Sequence, residues 1–390
     1  MRKWDMRRND LIAGASVAGL MLPEAVAYAG IAGLPPQRAI FAAIAGSLVY
    51  AAVGRSRYAI ISPTSSSAAI LAATLAAMPG DIAIRAALAT VAVALAGLLF
   101  IVAAAARLGG LTGFISRPVL HGFAFGLAIT IILKQLPLVV GVPVQAPDLA
   151  RLVLALAGSA SRWNLVSLLV GGVSLAALIG FRRVPALPGA LAVLGLGIAA
   201  SILFRLPDLG VATVGTIDMA MAWPSLPAIG WADLSRLAQF TVPLVLILFA
   251  ESWGTIRALA LRDGDTADAN RELGALGVAN LASAIVQGMP VGAGFSAGSA
   301  SEAAGATSRL ASVAAAAGLA ILILCAGPLI ARLPEPVLAA VVIAALTHTL
   351  DPAPLLRLWR IGRDQYIAVA AAIGVLALAG SASRWNLVSL

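Results

Sequence analysis

Charged side chains are scarce in this chain. Asp, Glu, Lys and Arg make up 11% of its 390 residues, against 61% hydrophobic residues. The mean hydropathy of +0.99 is too high for a domain whose surface faces water. Aromatic residues are also few, so the formal charge of +9 does not indicate a nucleic-acid-binding surface. The composition predicts a protein that is embedded in a lipid membrane and has no nucleic-acid partner.

Cysteine and histidine are nearly absent as well, with one Cys and two His in the whole chain. The lone Cys325 excludes a disulfide framework, and thiols and imidazoles are too few for a metal site. No nucleophile, base and orienting residue occur together at a recognisable spacing, so we do not expect an enzyme. We expect no metal and no cofactor, with H⁺ or Na⁺ as a coupling ion.

Long apolar stretches dominate what remains. Many are long enough to cross a hydrocarbon core of about 30 Å as helices, and they lack the polar alternation of an outer-membrane barrel. We therefore predict an all-α polytopic membrane protein. The thirteen predicted segments lie near 10–32, 37–53, 64–79, 82–106, 114–140, 164–181, 186–205, 238–261, 269–288, 295–306, 308–333, 335–350 and 365–379.

Basic residues precede the first segment and recur in alternate loops. This pattern follows the positive-inside rule and predicts a multi-pass protein of the bacterial inner membrane with residues 1–9 in the cytoplasm. The first apolar segment is too long for a cleavable signal peptide and has no convincing small-residue cleavage site, so we expect it to remain as a helix.

Two predicted segments, the third and the tenth, are short and follow Pro- and Gly-rich polar sequence at 61–67 and 289–296. Interrupted segments in corresponding positions mark the binding site of many transporters. The first and eighth segments also match, because each carries an acid, Glu24 and Glu251. Seven segments separate the members of each pair. Two repeats of seven must lie in the membrane with opposite orientations, which predicts an inverted repeat.

The predicted boundaries follow from this repeat. The first repeat covers 10–206, a linker 207–237, and the second repeat 238–379, with its last helix missing. Residues 376–390 are identical to residues 154–168 (LALAGSASRWNLVSL), so we leave the repeated tail, 380–390, out of the fold.

The chemistry of the predicted site is that of two half-helix N-termini, which offer free N–H groups and positive potential to an anion. The candidate ligand-binding residues at the two ends share small size, hydroxyl groups or first-turn backbone: Thr64, Ser65, Ser66, Gly294, Phe295 and Ser296. The alternative for these residues is ordinary N-capping and small-residue helix packing.

Two acids inside apolar stretches are candidates for ion coupling. An acid at the centre of a membrane helix costs about 2.5–3.5 kcal/mol, so Glu24 should be protonated, paired or functional. We expect it to couple anion movement to protons, with a structural hydrogen bond as the alternative. Glu251 and Thr255 lie one helical turn apart and can instead offer oxygens to Na⁺. An ion pair between Glu251 and a basic residue of another helix is the alternative there.

The motifs of this chain resemble those of the SulP anion transporters, also called solute carrier family 26. The resemblance spans nearly the whole membrane domain in order. Its motifs are 22–28 (LPEAVAY), 32–37 (AGLPPQ), 56–58 (SRY), 62–64 (SPT), 114–119 (FISRPV), 270–273 (NREL), 277–280 (GVAN) and 290–296 (PVGAGFS).

The resemblance implies fourteen helices, with a core domain of segments 1–4 and 8–11 and a gate domain of segments 5–7 and 12–14. It implies elevator-like transport and a substrate site between the third and tenth segments, to which Tyr28 also belongs. It further implies a cytoplasmic STAS domain, which this sequence does not contain, and a possible homodimer through that domain or the gate. Two departures are Glu24, where relatives often have Gln, and Ala297, where many have Arg.

The leading hypothesis is therefore a proton-coupled symporter of a small anion such as a carboxylate, dicarboxylate, sulfate or bicarbonate. Na⁺-coupled uptake of bicarbonate or sulfate is a second hypothesis. An uncoupled anion channel, exchanger or voltage-responsive motor is a third. The nucleobase–cation symporters share the expected architecture and use acids of the eighth and tenth helices. They fit this chain less well, because the tenth segment offers Ser296 near its start and its acid, Glu302, lies too far along the segment.

Overall fold

The computed structural model describes residues 3–78, 82–110, 117–144, 146, 149–183, 189–220, 230–262 and 264–350. The thirteenth predicted segment, the repeated tail and part of the predicted linker lie outside these residues. Within them the chain is mostly helical, as the sequence predicts.

Thirteen α-helices and one pair of short β-strands form the described part of the chain. In chain order they are α1 (Lys3–Ala32), α2 (Pro36–Val53), β1 (Ile61–Pro63), α3 (Ser65–Ala76), α4 (Ile82–Ala105), α5 (Arg117–Val140), α6 (Leu149–Gly158), α7 (Leu165–Phe181), α8 (Gly189–Leu203), α9 (Trp231–Arg262), α10 (Ala269–Ile285), β2 (Val291–Ala293), α11 (Phe295–Ala303), α12 (Leu310–Ile330) and α13 (Glu335–Leu346).

The structure differs from the predicted segments in three places. Helix α6 is an additional helix of ten residues. It was not among the predicted segments, because it is too short to cross a membrane. Helix α9 begins at Trp231, inside the segment predicted as linker. The strands β1 and β2 were not predicted, because three residues are too few to show the alternation of a strand.

Five of the described helices are long and apolar enough to cross a membrane, judged by length and composition. They span Arg7–Ala32, Pro36–Val53, Ile84–Ala105, Asp233–Leu261 and Leu310–Ile330. The half-helices α3 and α11 have 12 and 9 residues, so each rises about 14–18 Å and can cover only part of a bilayer.

The strands β1 and β2 pair antiparallel, with Ile61 opposite Ala293, Ser62 opposite Gly292 and Pro63 opposite Val291. In both cases a single residue separates the strand from the half-helix that follows it. Ser62 and Gly292 form the central pair of this register, so the two strands occupy equivalent positions in the ladder. Such a relation is what a local two-fold axis gives, and it brings the N-termini of α3 and α11 to the same place.

The helices group into two compact units. The first contains α1–α4, both strands, α9–α11, most of α12 and the first residues of α8. The second contains α5–α7, most of α8, the end of α12 and α13. All the predicted site residues belong to the first unit.

Small residues allow close helix packing within the first unit. A Cβ atom on Gly97 of α4 would lie 2.9 Å from the backbone nitrogen of Leu281 in α10, and one on Gly277 would lie 3.0 Å from the Gly97 carbonyl oxygen. Such contacts are the usual basis of helix association in lipid, where burial of apolar surface gives no advantage. They hold α4 against α10 beside the strand pair.

Candidate functional site

The strand pair at the site is buried, so its outward backbone groups need partners other than water. The amide of Asn280 provides two of them, because its Oδ1 accepts the Val291 N–H at 3.0 Å and its Nδ2 donates to the Val291 carbonyl at 2.9 Å. Ser252 Oγ accepts the Ala293 N–H at 2.9 Å. The hydroxyl of Ser47 donates to the Ile61 carbonyl at 2.9 Å.

Proline is tolerated in β1 for a related reason. Neighbouring residues of an antiparallel strand direct their N–H groups alternately toward and away from the partner strand. Val291 and Ala293 direct their N–H groups away from β1. The backbone N–H and C=O groups of the central residues, Ser62 and Gly292, therefore point toward the opposite strand. Pro63 therefore occupies an outward position, where a missing N–H removes no bond of the ladder.

The N-terminus of α3 is closed by its own residues. Thr64 is the N-cap: its Oγ1 accepts the Ser67 N–H at 3.2 Å, while the Thr64 N–H donates to Ser67 Oγ at 3.1 Å. This reciprocal arrangement is a capping box, which satisfies two donors that the first turn otherwise leaves open. Thr64 and Ser66 are buried, and their hydroxyl oxygens lie 2.9 Å apart.

The N-terminus of α11 has a different chemistry. Its N-cap is Gly294, which has no side chain to accept a first-turn N–H. Ser296 is the second residue of α11, as Ser66 is of α3. A Cβ atom on Gly294 would lie 3.7 Å from Thr64 Cγ2 and 3.9 Å from Ser296 Oγ, so the two helix ends approach each other here.

The two buried acids reach these helix ends crosswise. Glu24 lies on α1 and its Oε1 accepts a hydrogen bond from Ser296 Oγ of α11 at 2.8 Å. Glu251 lies on α9 and its Oε2 accepts hydrogen bonds from Thr64 Oγ1 of α3 at 3.1 Å and from Ser66 Oγ. Each half-helix thus offers a hydroxyl of its first turn or cap to a carboxyl group from a long helix.

The remaining predicted residues lie around this pair. Tyr28 is 3% exposed and lies one helical turn after Glu24 on α1, so the two residues share a face of that helix. Ser65 is the half-buried first residue of α3, and Phe295, the first of α11, is 37% exposed. Thr255 is buried, and its Cγ2 lies 3.4 Å from the position of a Cβ on Gly298. The described contacts of Thr255 therefore belong to the packing of α9 on α11.

Neither acid has an ionic partner among the described side chains. An ion pair among the described side chains joins Arg57 and Asp265 instead. Its nitrogen and oxygen are 2.6 Å apart, and both side chains are well exposed. The partners of Glu251 among the described side chains are the hydroxyl groups of Thr64 and Ser66, and no ion pair of Glu251 is found among those side chains.

Sequence reasoning missed the residues that support the strands, above all Asn280, Ser252 and Ser47. All three are fully buried. A signal was present in Asn280, because an amide inside an apolar helix needs a polar partner. The partner itself, a strand edge, was not predicted.

The arrangement is suited to an anion and a proton. First-turn N–H groups and hydroxyls can donate to negative oxygen, and the two carboxyl groups compete with an anion for these donors most strongly when they are charged.

Comparison with known proteins identifies the family of this chain. The model of the family described as "Sulfate permease family" matches residues 8–372. Probable sulfate transporters of two Mycobacterium tuberculosis strains are 34% identical over 384 residues, covering 97% of this chain and 68% of theirs. Sulfate transporter 4.1 of Arabidopsis thaliana is 27% identical over 374 residues, covering 92% of this chain and 53% of its own.

Solved structures show the same fold at lower identity. The transmembrane domain of the cyanobacterial bicarbonate transporter BicA matches with a TM-score of 0.85 and 21% identity, covering 98% of both chains. Murine Slc26a9, an anion transporter in the inward-facing state, matches with a TM-score of 0.84 and 18% identity, covering 98% of this chain and 68% of its own. The resemblance read from the sequence motifs is confirmed.

Proposed function

Because this chain belongs to the sulfate permease family and is an anion transporter rather than an enzyme, we propose that it is a proton-coupled symporter of a small anion. The anion binds between the N-termini of α3 and α11, and Glu24 carries the proton. The observation that carries the proposal is the 2.8 Å hydrogen bond from Ser296 to Glu24. It places a titratable carboxyl on a donor that an anion would use.

Coupling follows from the repulsion between like charges. Two negative charges about 5 Å apart, at an effective dielectric constant of about 20, repel each other by about 3 kcal/mol. This corresponds to roughly a 100-fold loss of anion affinity while Glu24 is charged. Protonation of Glu24 removes the repulsion, so the anion and the proton bind together and leave together.

The test is uptake into proteoliposomes with and without an inward proton gradient. In the wild type, acidification of the outer side should accelerate uptake. In Glu24→Gln, which is neutral at every pH, uptake should no longer respond to the gradient. Glu302→Gln, the same change near the far end of α11, serves as the matched control and should retain the response. A Glu24→Gln protein that keeps the wild-type response would contradict the proposal.

The substrate class is best approached by a screen of sulfate, bicarbonate, formate and dicarboxylates. The relatives named above are described as sulfate and bicarbonate transporters. Ala297 is buried at the position where many family members have Arg, so this site has less fixed positive charge for a doubly charged anion. We therefore propose a carboxylate as substrate. Preference for sulfate in the screen would overturn this assignment.

Sodium coupling makes a different prediction in the same assay. Replacement of Na⁺ by K⁺ should leave uptake unchanged if protons are the coupling ion. An absolute need for Na⁺ would favour Glu251 and Thr255 as ligands. Current without saturation would instead favour a channel.

We also propose an elevator-like movement of the first unit, which carries the whole site, in the inner membrane. The division of contacts into two compact units supports a moving and a static part. The exposed Arg7 and Arg8 near the start of α1 support a cytoplasmic N-terminus. A homodimer through the gate domain or a STAS domain completes the proposal, and crosslinking of the full protein in membranes would test it.

A further inference from the structure

Glu251 is held at the beginning of α3 by two hydroxyl groups, those of Thr64 and Ser66. Both residues are almost fully buried, at 3% and 2% exposure. Both bonds go to the same oxygen, Oε2. A carboxylate held by hydroxyl donors at a helix N-terminus is the arrangement that a bound anion adopts at such a site.

The two ends of the site are therefore not equivalent. The first turn of α3 is capped by Thr64 and Ser67, and the hydroxyls of Thr64 and Ser66 are used by Glu251. The first turn of α11 begins after Gly294 and has no side-chain cap. Its one described hydroxyl contact is the bond from Ser296 to Glu24. Two hydroxyls at the start of α3 therefore donate to Glu251, whereas Ser296 at the start of α11 donates to Glu24.

We propose that Glu251 is a tethered anion: its carboxylate fills the α3 half of the site, so the transported anion binds at α11 and reaches the α3 hydroxyls only when Glu251 leaves. This inference rests on the proposed function, because it assumes an anion site between the two half-helices. It differs from the role of Glu24, which carries the proton. Glu251 limits how many anions, and how large an anion, the site accepts.

The physical reason is that a second anion on the same hydroxyls would compete with Glu251 for hydrogen bonds and be repelled by its charge. A formate ion has the same two oxygens and the same single charge as the end of the Glu251 side chain. Removal of that side chain should therefore open a place with the size, donors and potential for formate. The wild-type protein has no such vacancy at α3.

The test is rescue of Glu251→Ala by formate. The variant should unfold at a lower temperature than the wild type, because two buried hydroxyls lose their acceptor. Sodium formate, balanced with sodium gluconate at constant pH and ionic strength, should raise its unfolding temperature in a dose-dependent manner and by clearly more than it raises that of the wild type, which offers formate only the α11 half of the site. In Ser66→Ala/Glu251→Ala, which lacks one of the donors, the effect of formate should be at least halved.

A second variant covers the case in which Glu251→Ala does not fold. Glu251→Gln keeps the shape and an accepting oxygen but removes the charge. Its affinity for radiolabelled formate should be at least ten-fold higher than that of the wild type. An unchanged or weaker affinity would overturn the proposal and leave Glu251 as a structural acceptor, as would a formate effect of equal size in wild type and Glu251→Ala.

Failure of this inference can be distinguished from failure of the proposed function. If Glu24→Gln loses its proton response but Glu251→Ala shows no rescue, only the tethered anion is wrong. If formate rescues Glu251→Ala while Glu24→Gln keeps its proton response, only the coupling assignment is wrong.

Discussion

Replacement of Asn280 by Ala tests whether the buried strand pair positions the proposed anion site. The Asn280 amide satisfies both the N–H and the C=O of Val291 and also donates to the Leu276 carbonyl at 2.9 Å. Ala cannot replace these bonds, and the side chain is fully buried, so water cannot reach the freed groups. Each unpaired buried backbone group costs about 1–3 kcal/mol. The two groups of Val291 together predict a loss of about 2–6 kcal/mol.

The matched control is Asn164→Ala. Asn164 also makes bonds in both directions: its Oδ1 accepts the Ser167 N–H at 2.8 Å and its Nδ2 donates to the Leu209 carbonyl at 2.9 Å. It caps α7 at a solvent-accessible place, where loss of a cap costs about 1 kcal/mol. Water can replace its bonds at least in part.

The assay is thermal unfolding in detergent, followed by anion uptake after reconstitution. Asn280→Ala should lose clearly more thermal stability than Asn164→Ala and should also lose uptake, because β2 leads directly into α11. Asn164→Ala should keep its uptake. Equal destabilisation of the two variants, or normal uptake by Asn280→Ala, would refute the idea that the amide of Asn280 holds the strand in place.

Three further substitutions test other contacts of the first unit. Gly292→Ala should abolish uptake and lower the yield of folded protein, because its Cβ would lie 2.5 Å from a side-chain carbon of α9; normal uptake would show that the strand can shift. Tyr50→Phe removes the 2.6 Å hydrogen bond to the buried Glu272 and should reduce stability by about 1–3 kcal/mol in thermal unfolding. An unchanged stability would mean that water reaches Glu272 and replaces the bond. Arg57→Ala breaks the exposed pair with Asp265 and should change stability by less than about 1 kcal/mol; a larger loss in the same assay would mean that the pair is shielded from water.

Most helices could be predicted from the sequence because apolar stretches of membrane length have few alternative structures in lipid. The short third and tenth segments were recognised by their Pro- and Gly-rich beginnings, and the structure places their N-termini together. The start of α9 was predicted too late, since residues from Trp231 to Phe240 mix polar and apolar side chains. Helix α6 was missed because a ten-residue apolar helix does not need to span a bilayer.

The candidate site was predictable in composition but not in connectivity. A buried acid and a run of hydroxyl residues are visible in sequence, which is why Glu24, Glu251, Thr64 and Ser66 were all proposed. Which acid meets which hydroxyl depends on how four helices cross, and no local pattern encodes that crossing. The strand edges satisfied by Asn280 and its neighbours escaped prediction for the same reason.

The strand pair has a mechanical consequence for transport. A ladder of only three residue pairs joins α3 to α11, and its central pair lies midway between them. Side chains from α2, α9 and α10 bind the outer edges of the same strands. A rotation of one half-helix would therefore strain the ladder at once. We therefore predict that the N-termini of α3 and α11, which form the two sides of the proposed binding site, move together during transport and that neither moves alone.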